Sequence, residues 1–340
     1  MPKRIYLDHA ATSPLRPEAK AAMEEGFRIW ANPSSPHAEG RAARAALEDA
    51  RERIKAALGW QGELIFTSGA SEALAIGLQR AKVDRRIISA VEHDAVFRAA
   101  PEAEVVPVEN GMVVLPTNIA GAIVAIQQVN SETGAMMLEF DELYERVANA
   151  GAVLLADCSQ GAGKLSLPNC DMAVVSAHKL GGPVGLGALL VKDFAMLEPT
   201  GGHERGYRAG TENLPGILGF AAALEAGGQD SWATTTQQRS GFWDSLAESW
   251  LITGQVHGDY IRGLQHGTLS AQALLIRLDA MGFAVSAGSA CSSGSLKPSR
   301  VLKAFGVDDE TAARTIRVSL GWNTTPEELN AFAEAWKSLC

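Results

Sequence analysis

Along the first sixty residues, apolar positions recur at helical spacing in two stretches, roughly Pro17 to Trp30 and about Gly40 to Leu58, the second stopped by Gly59. Between them NPSSPH, Asn32 to His37, is rigid loop chemistry. From Glu63 onward the pattern changes to short apolar runs, ELIF, RIISAV, AIVAIQQV, AVLLAD and MAVVSA, separated by helix-like or turn-rich segments. Their hydrophobicity is continuous, not alternating, which suits strands of a largely parallel sheet covered on both faces by helices. Each run ends in polar residues: LIF enters TSGASE, IISAV enters EHDAV, VAIQQV enters NSETG, LLAD enters CSQGAG and VVS enters AHKLGG. Open parallel sheets collect their ligands at such strand ends.

After about Gly228 the texture changes. A helical stretch through Trp250 leads to strand candidates around Gly267 to Ala271 and Phe283 to Ala287, then a helix and TIRVSLG. The last helix announces itself with Thr325 at N-cap, Pro326 at N1 and Glu328 at N3. The pattern predicts an α/β large domain over residues 13–230 and a smaller α+β domain built from 1–12 and 231–340. A length of 340 residues suits that two-part division.

Composition narrows the function classes. A net charge of -9 disfavours a nucleic-acid or anionic-membrane partner, since either selects a basic face. MPKRIYLDHAATSPL has no apolar h-region and no small-residue cleavage site, and no apolar run approaches the length of a membrane span. Cys158, Cys170, Cys291 and Cys340 make no CxxC pair, so neither a metal site nor a disulfide framework is expected, and a reducing cytoplasm is the expected setting.

Candidate chemistry gathers at the strand ends. Lys179, in SAHKLGGPVGLG, sits in a glycine-rich turn where partial desolvation would favour the neutral amine. Asp157 ends the preceding run; a carboxylate there is a helix N-cap, a structural ion pair, or the partner of a pyridinium nitrogen. In TSGASEA, the amides around Ala70 and Ser71 open a helix and form a ready phosphate site, to which Ser176 and His178 could add donors. His93 is either a hydrogen-bonded loop residue or a ring-stacking proton carrier. Cys158 and Cys170 read as small buried hydrophobes and Cys340 as a chain end, which leaves Cys291, among small residues in SAGSACSSGS, as the candidate nucleophile. Arg317 reads equally as a plain strand arginine or as a carboxylate clamp.

Taken in order, IYLDHAATSP, NPSSPH, TSGASE, VEHDAV, QVNSETG, ADCSQGAGK, SAHKLGGPVGLGAL, GGHERGYRAGTEN, SAGSACSSGS and RVSLGWNTT resemble the cysteine desulfurases of the class V aminotransferase group of fold-type I pyridoxal-phosphate enzymes. The resemblance implies that Lys179 carries pyridoxal 5'-phosphate, Asp157 pairs its ring nitrogen, Gln160 reaches its ring hydroxyl and His93 stacks on the ring. It places the phosphate on Ala70, Ser71, Ser176 and His178, with Thr211 donated by the second subunit of a homodimer. It puts the substrate L-cysteine against Arg317, Asn32 and Ser131, the last standing where the family has the second of two asparagines. It implies that Cys291 takes the sulfur as a persulfide, and that its long loop, of the group I type, delivers it to an acceptor protein such as an iron–sulfur scaffold. Another class V aminotransferase, a selenocysteine lyase, or a non-catalytic cofactor-binding regulator are the rival readings. Ala73, Leu74 and Ala75 depart from the family's usual polar residues after TSGASE, and the chain is expected to lack the longer tail with which some relatives dock a scaffold.

Overall fold

The computed structural model describes residues 4–137, 140–254, 256–287 and 299–340. Its strands are β1 (Ile5–Tyr6), β2 (Glu63–Thr67), β3 (Arg85–Ser89), β4 (Glu104–Val106), β5 (Val108–Glu109), β6 (Met112–Val113), β7 (Ala122–Gln127), β8 (Val153–Asp157), β9 (Met172–Ser176), β10 (Gly187–Val191), β11 (Ile261–Gln265), β12 (Phe283–Ala284) and β13 (Thr315–Ser319). Seven of them form one sheet in the order β2-β10-β9-β8-β7-β3-β4. β10 runs antiparallel to both neighbours, and the other pairings are parallel. The small pairings are β1 with β12, β11 with β13, and β5 with β6.

Continuous hydrophobicity in the strands follows from burial on both faces. Leu64, Phe66, Val124, Ile126, Leu154 and Val175 pack into a layer with Ala19, Leu47, Ile217 and Phe220 from helices α1 (Pro17–Arg28), α2 (Ala38–Leu58) and, past α3 (Ala70–Arg80), α4 (Asp94–Ala99) and α5 (Phe140–Asn149), α6 (Leu214–Glu225). Their strand neighbours Ile65, Ile123, Leu155 and Val174 face the opposite way, onto Leu74 and Leu78 of α3 and Val96 of α4. This is the period-two alternation of a pleated strand with apolar residues required on both sides. A further cluster gathers Leu7 and Ala10 with Trp243, Tyr260, Leu274, Phe332 and Trp336, so the N-terminal strand packs with the C-terminal third of the chain.

Two expectations shift. The strand expected around Gly267 to Ala271 lies earlier, at Ile261–Gln265, and Ala271 opens a helix to Ala280. Arg262 and Gly263 look like breakers, but the Arg262 guanidinium lies 4.5 Å from the Trp250 ring and Gly263 faces Leu251 and Thr315. The stretch expected to be helical through Trp250 is helical only over Thr236–Asp244, followed by a short turn at Ala247–Ser249. No described helix is long and apolar enough to cross a membrane.

Candidate active site

The C-terminal edges of β2, β3, β7, β8 and β9 open onto one cavity of about 420 Å³. Its walls include Ala70, Ser71, His93, Ser131, Asp157, Gln160, Ser176, His178 and Lys179. A larger cavity, about 720 Å³, lies between the end of α2 and the 163–170 loop and holds none of the residues expected to be catalytic or ligand-binding.

One corner is built for an anion. β2 ends at Thr67, and Gly69 (φ 147°) turns the chain so that α3 starts at Ala70 with its first amides unpaired within the helix. That turn packs tightly on β10: a Cβ at Gly187 would stand 2.8 Å from Gly69 Cα and 2.6 Å from the Val175 carbonyl oxygen. Ser71, buried Ser176 and His178 stand around the same corner. Burial first, then the charges of Lys179 and Lys164, pushes the His178 imidazole down to about 4. A neutral ring therefore lines the cavity, and its Nδ1 lies 3.1 Å from Thr12 Oγ1.

The opposite wall carries a carboxylate, an imidazole and an amide. Asp157 ends β8 almost fully buried, and its Oδ1 accepts from both Ser159 N (2.9 Å) and Ser159 Oγ. His93 N-caps α4, its Nδ1 accepting from Ala95 N at 3.1 Å. Its pKa is lowered by burial first and by Lys179 next, so the imidazole is neutral and its Nε2 remains available. Gln160 donates from Nε2 to the Ala10 carbonyl at 2.8 Å, while its buried Oε1 has no partner among the described residues. Lys179 follows Ser176 in a single 3-10 turn, Ala177–Lys179. A phosphate corner, a buried carboxylate, a neutral imidazole, an unsatisfied amide oxygen and a lysine on one cavity are the donor set that pyridoxal phosphate needs, and these residues fit it.

Not every expected residue reaches this cavity. Arg317 stands one residue behind the wall, donating from Nη1 to the Ser131 carbonyl at 2.9 Å. Asn32 is exposed and its Oδ1 accepts from Ser34 N, a local turn. Thr211 is exposed and outside the cavity of its own chain. The segment leading to it is pinned to the sheet by Glu204, which pairs with buried Arg51 at 2.8 and 3.0 Å and accepts from Phe66 N. Cys291 lies outside the described residues.

The site also holds residues that sequence reading passed over. Thr12 and Ala11 bring the N-terminal segment under the cavity, and Ser13 N donates to the His178 carbonyl at 2.7 Å. Only the string LDHAATSP hinted at them. Ser159 was readable in principle, because Asp-x-Ser is a turn signature. Glu92, fully buried beside His93, gave no signal, since an EHD string looks solvated.

The class-V aminotransferase family model matches residues 5–332. A cysteine desulfurase of Trichormus azollae is 34% identical over 370 aligned positions, covering 97% of this chain and 91% of that protein. The solved NifS-like protein of Rickettsia africae ESF-5 superposes with a TM-score of 0.85 at 27% identity, covering 99% of both chains. A structure of SspA in complex with cysteine superposes with a TM-score of 0.79 at 27% identity, over 94% of this chain and 99% of that one. The chain belongs to the class-V aminotransferase family and, within it, to the cysteine desulfurases.

Proposed function

We propose that this chain is a pyridoxal-phosphate-dependent cysteine desulfurase that converts L-cysteine to L-alanine and takes the sulfur onto Cys291. The observation that carries the reading is the convergence of Lys179, Asp157, His93 and the start of α3 on one cavity, in a chain 34% identical to a cysteine desulfurase over nearly its whole length.

When bound, pyridoxal phosphate supplies an electron-withdrawing ring that eases bond breaking at the amino-acid carbons. The chain's own residues hold and order the reaction. The first amides of α3, with Ser71, Ser176 and His178, would hold the phosphate dianion, and Thr211 of a second copy would complete that corner. Asp157, whose Oδ1 is fixed by Ser159, would offer Oδ2 to the ring nitrogen and favour a proton there. The neutral His93 ring, held by Ala95 N on its Nδ1, would stack on the cofactor, leaving Nε2 to carry a proton. Lys179 is the amine that holds the cofactor and then moves the proton at the substrate Cα. Arg317 receives the substrate carboxylate. The Cys291 thiolate attacks the substrate Sγ. An S–S bond forms as the Cβ–S bond breaks, and that bond's electron pair stays with the carbon that becomes the alanine methyl. Persulfide sulfur then passes to a thiol of an acceptor protein, an iron–sulfur scaffold being one such acceptor. A mechanism that depends on a free thiolate fits the reducing cytoplasm.

The test is a single turnover with L-cysteine, following alanine and protein persulfide in wild type and Cys291→Ala. The reading expects both products in equal amount in wild type and both lost in the variant. Alanine that persists without Cys291 would mean that sulfur leaves directly, as in a lyase, and would overturn the persulfide step.

A further inference from the structure

Arg317 is held before any substrate arrives. Its Nη2 donates to Asp8 Oδ1 at 2.7 Å and its Nη1 to the Ser131 carbonyl at 2.9 Å. Its Nε is buried and has no partner among the described residues, on a side chain only 9% exposed. The arrangement is built in from both sides. Asp8 bridges to Ser319, two residues along β13 from Arg317, and Ser319 N donates to the Leu7 carbonyl at 2.8 Å. Arg317 N in turn donates to the Ser286 carbonyl. Strand pairing therefore places the Asp8 carboxylate beside the guanidinium.

A planar guanidinium with an acceptor on each Nη is fixed in orientation, and Nε is the one of its three nitrogens with no acceptor among the described residues. A buried charged donor left without an acceptor is unfavourable, so the Nε edge marks a place for a ligand oxygen. Ser131, whose carbonyl holds Nη1, is itself a wall of the cavity, so the guanidinium stands one residue from it. Asp8 also offsets the Arg317 charge, leaving room for one more carboxylate and not a strongly cationic trap for any anion.

We propose that Asp8 is a positioning residue for the substrate α-carboxylate, holding Arg317 by Nη2 so that the Nε edge receives that carboxylate. This rests on the assignment of Arg317 to substrate binding in the cysteine desulfurase reading. Asp8 touches no reacting atom, so its loss acts on substrate capture and not on the chemical step. A side chain that keeps an oxygen acceptor restores part of the effect.

Two measurements test it on wild type, Asp8→Ala and Asp8→Asn. In steady-state turnover of L-cysteine, Asp8→Ala raises KM about tenfold or more while kcat stays within about threefold, and Asp8→Asn falls between it and wild type. On the cofactor-free chain with labelled arginine, the Arg317 Nε resonance of wild type shifts saturably with added L-alanine, and Asp8→Ala needs about tenfold more L-alanine for the same shift. A KM that is unchanged or lower in both variants, or a kcat that falls as far as kcat/KM, overturns the proposal. If Asp8→Ala does not fold, Asp8→Asn decides alone by the same criteria. If wild type does not turn over L-cysteine, the reaction reading fails, and the L-alanine titration still decides the role of Asp8.

Discussion

Glu92 offers the sharpest test of the site's electrostatics. Its side chain is fully buried, Oε1 accepts from Ser89 Oγ at 2.6 Å and from Gln127 N at 3.0 Å, and Oε2 has no partner among the described residues. Burial dominates the two hydrogen bonds, and the charge of Asp157 adds to it, so the carboxyl is raised from 4.5 to about 8. The sign follows directly. Between those values the folded chain keeps a proton that the unfolded chain has lost, so Glu92 erodes stability as pH rises toward its folded pKa. Glu92→Gln removes that erosion. Relative to wild type, the variant gains about 1.4 kcal/mol per pH unit, or ~3 kcal/mol between pH 5 and 7.5 as an upper figure. At the acid end the two proteins start within about 1 kcal/mol of each other, because the wild-type O–H and the variant's N–H₂ both face the side where Oε2 has no acceptor. Denaturant midpoints of the two cofactor-free proteins at pH 5, 6, 7 and 7.5 give the difference, in which the other titrating groups cancel. Turnover of L-cysteine at pH 7 stays near wild type, since the glutamine replaces an acid that was already neutral. Parallel stability curves, with no change in the gap from pH 5 to 7.5, would refute the reasoning.

Two further outcomes follow from packing. Arg51→Met strands the buried Glu204 carboxylate and lowers unfolding free energy by about 3–5 kcal/mol, measured by denaturation, with Glu204→Gln added to the same chain recovering part of the loss. Gly187→Ala pushes a methyl group against Gly69 and the Val175 carbonyl, displacing the turn that opens α3. Titration of the cofactor-free protein with pyridoxal phosphate should then show affinity weakened about tenfold.

Much of the site was legible because of where it sits. A buried parallel strand must end in a turn, and the residues at the C-terminal edge are free to be polar, so Asp157 ends such a run, and Lys179, His93 and the Ala70–Ser71 helix start stand just past others. The helix ends were equally local signals: Gly59 takes φ 67° at the end of α2, and Thr325 with Glu328 closes a full capping box. What escaped was pairing. GALLV, Gly187–Val191, was passed over inside a glycine-rich string, and a fully buried strand reads the same whichever way it runs, so the one antiparallel insertion left no mark. The Ile261–Gln265 strand hid behind an arginine whose guanidinium lies over Trp250. Arg317 shows the limit most plainly. Its residue type and strand were readable, but its partner Asp8 lies 309 positions away. Whether a strand arginine is a clamp or a tie depends on that partner, because an acceptor already on Nη2 decides which edge a ligand can use. The same holds for Glu92: its charge state depends on a backbone amide of β7 and a carboxylate at the end of β8, neither of which its own EHD string contains. Local patterns thus give the groups that line the cavity, and long-range register gives the partners those groups pair with.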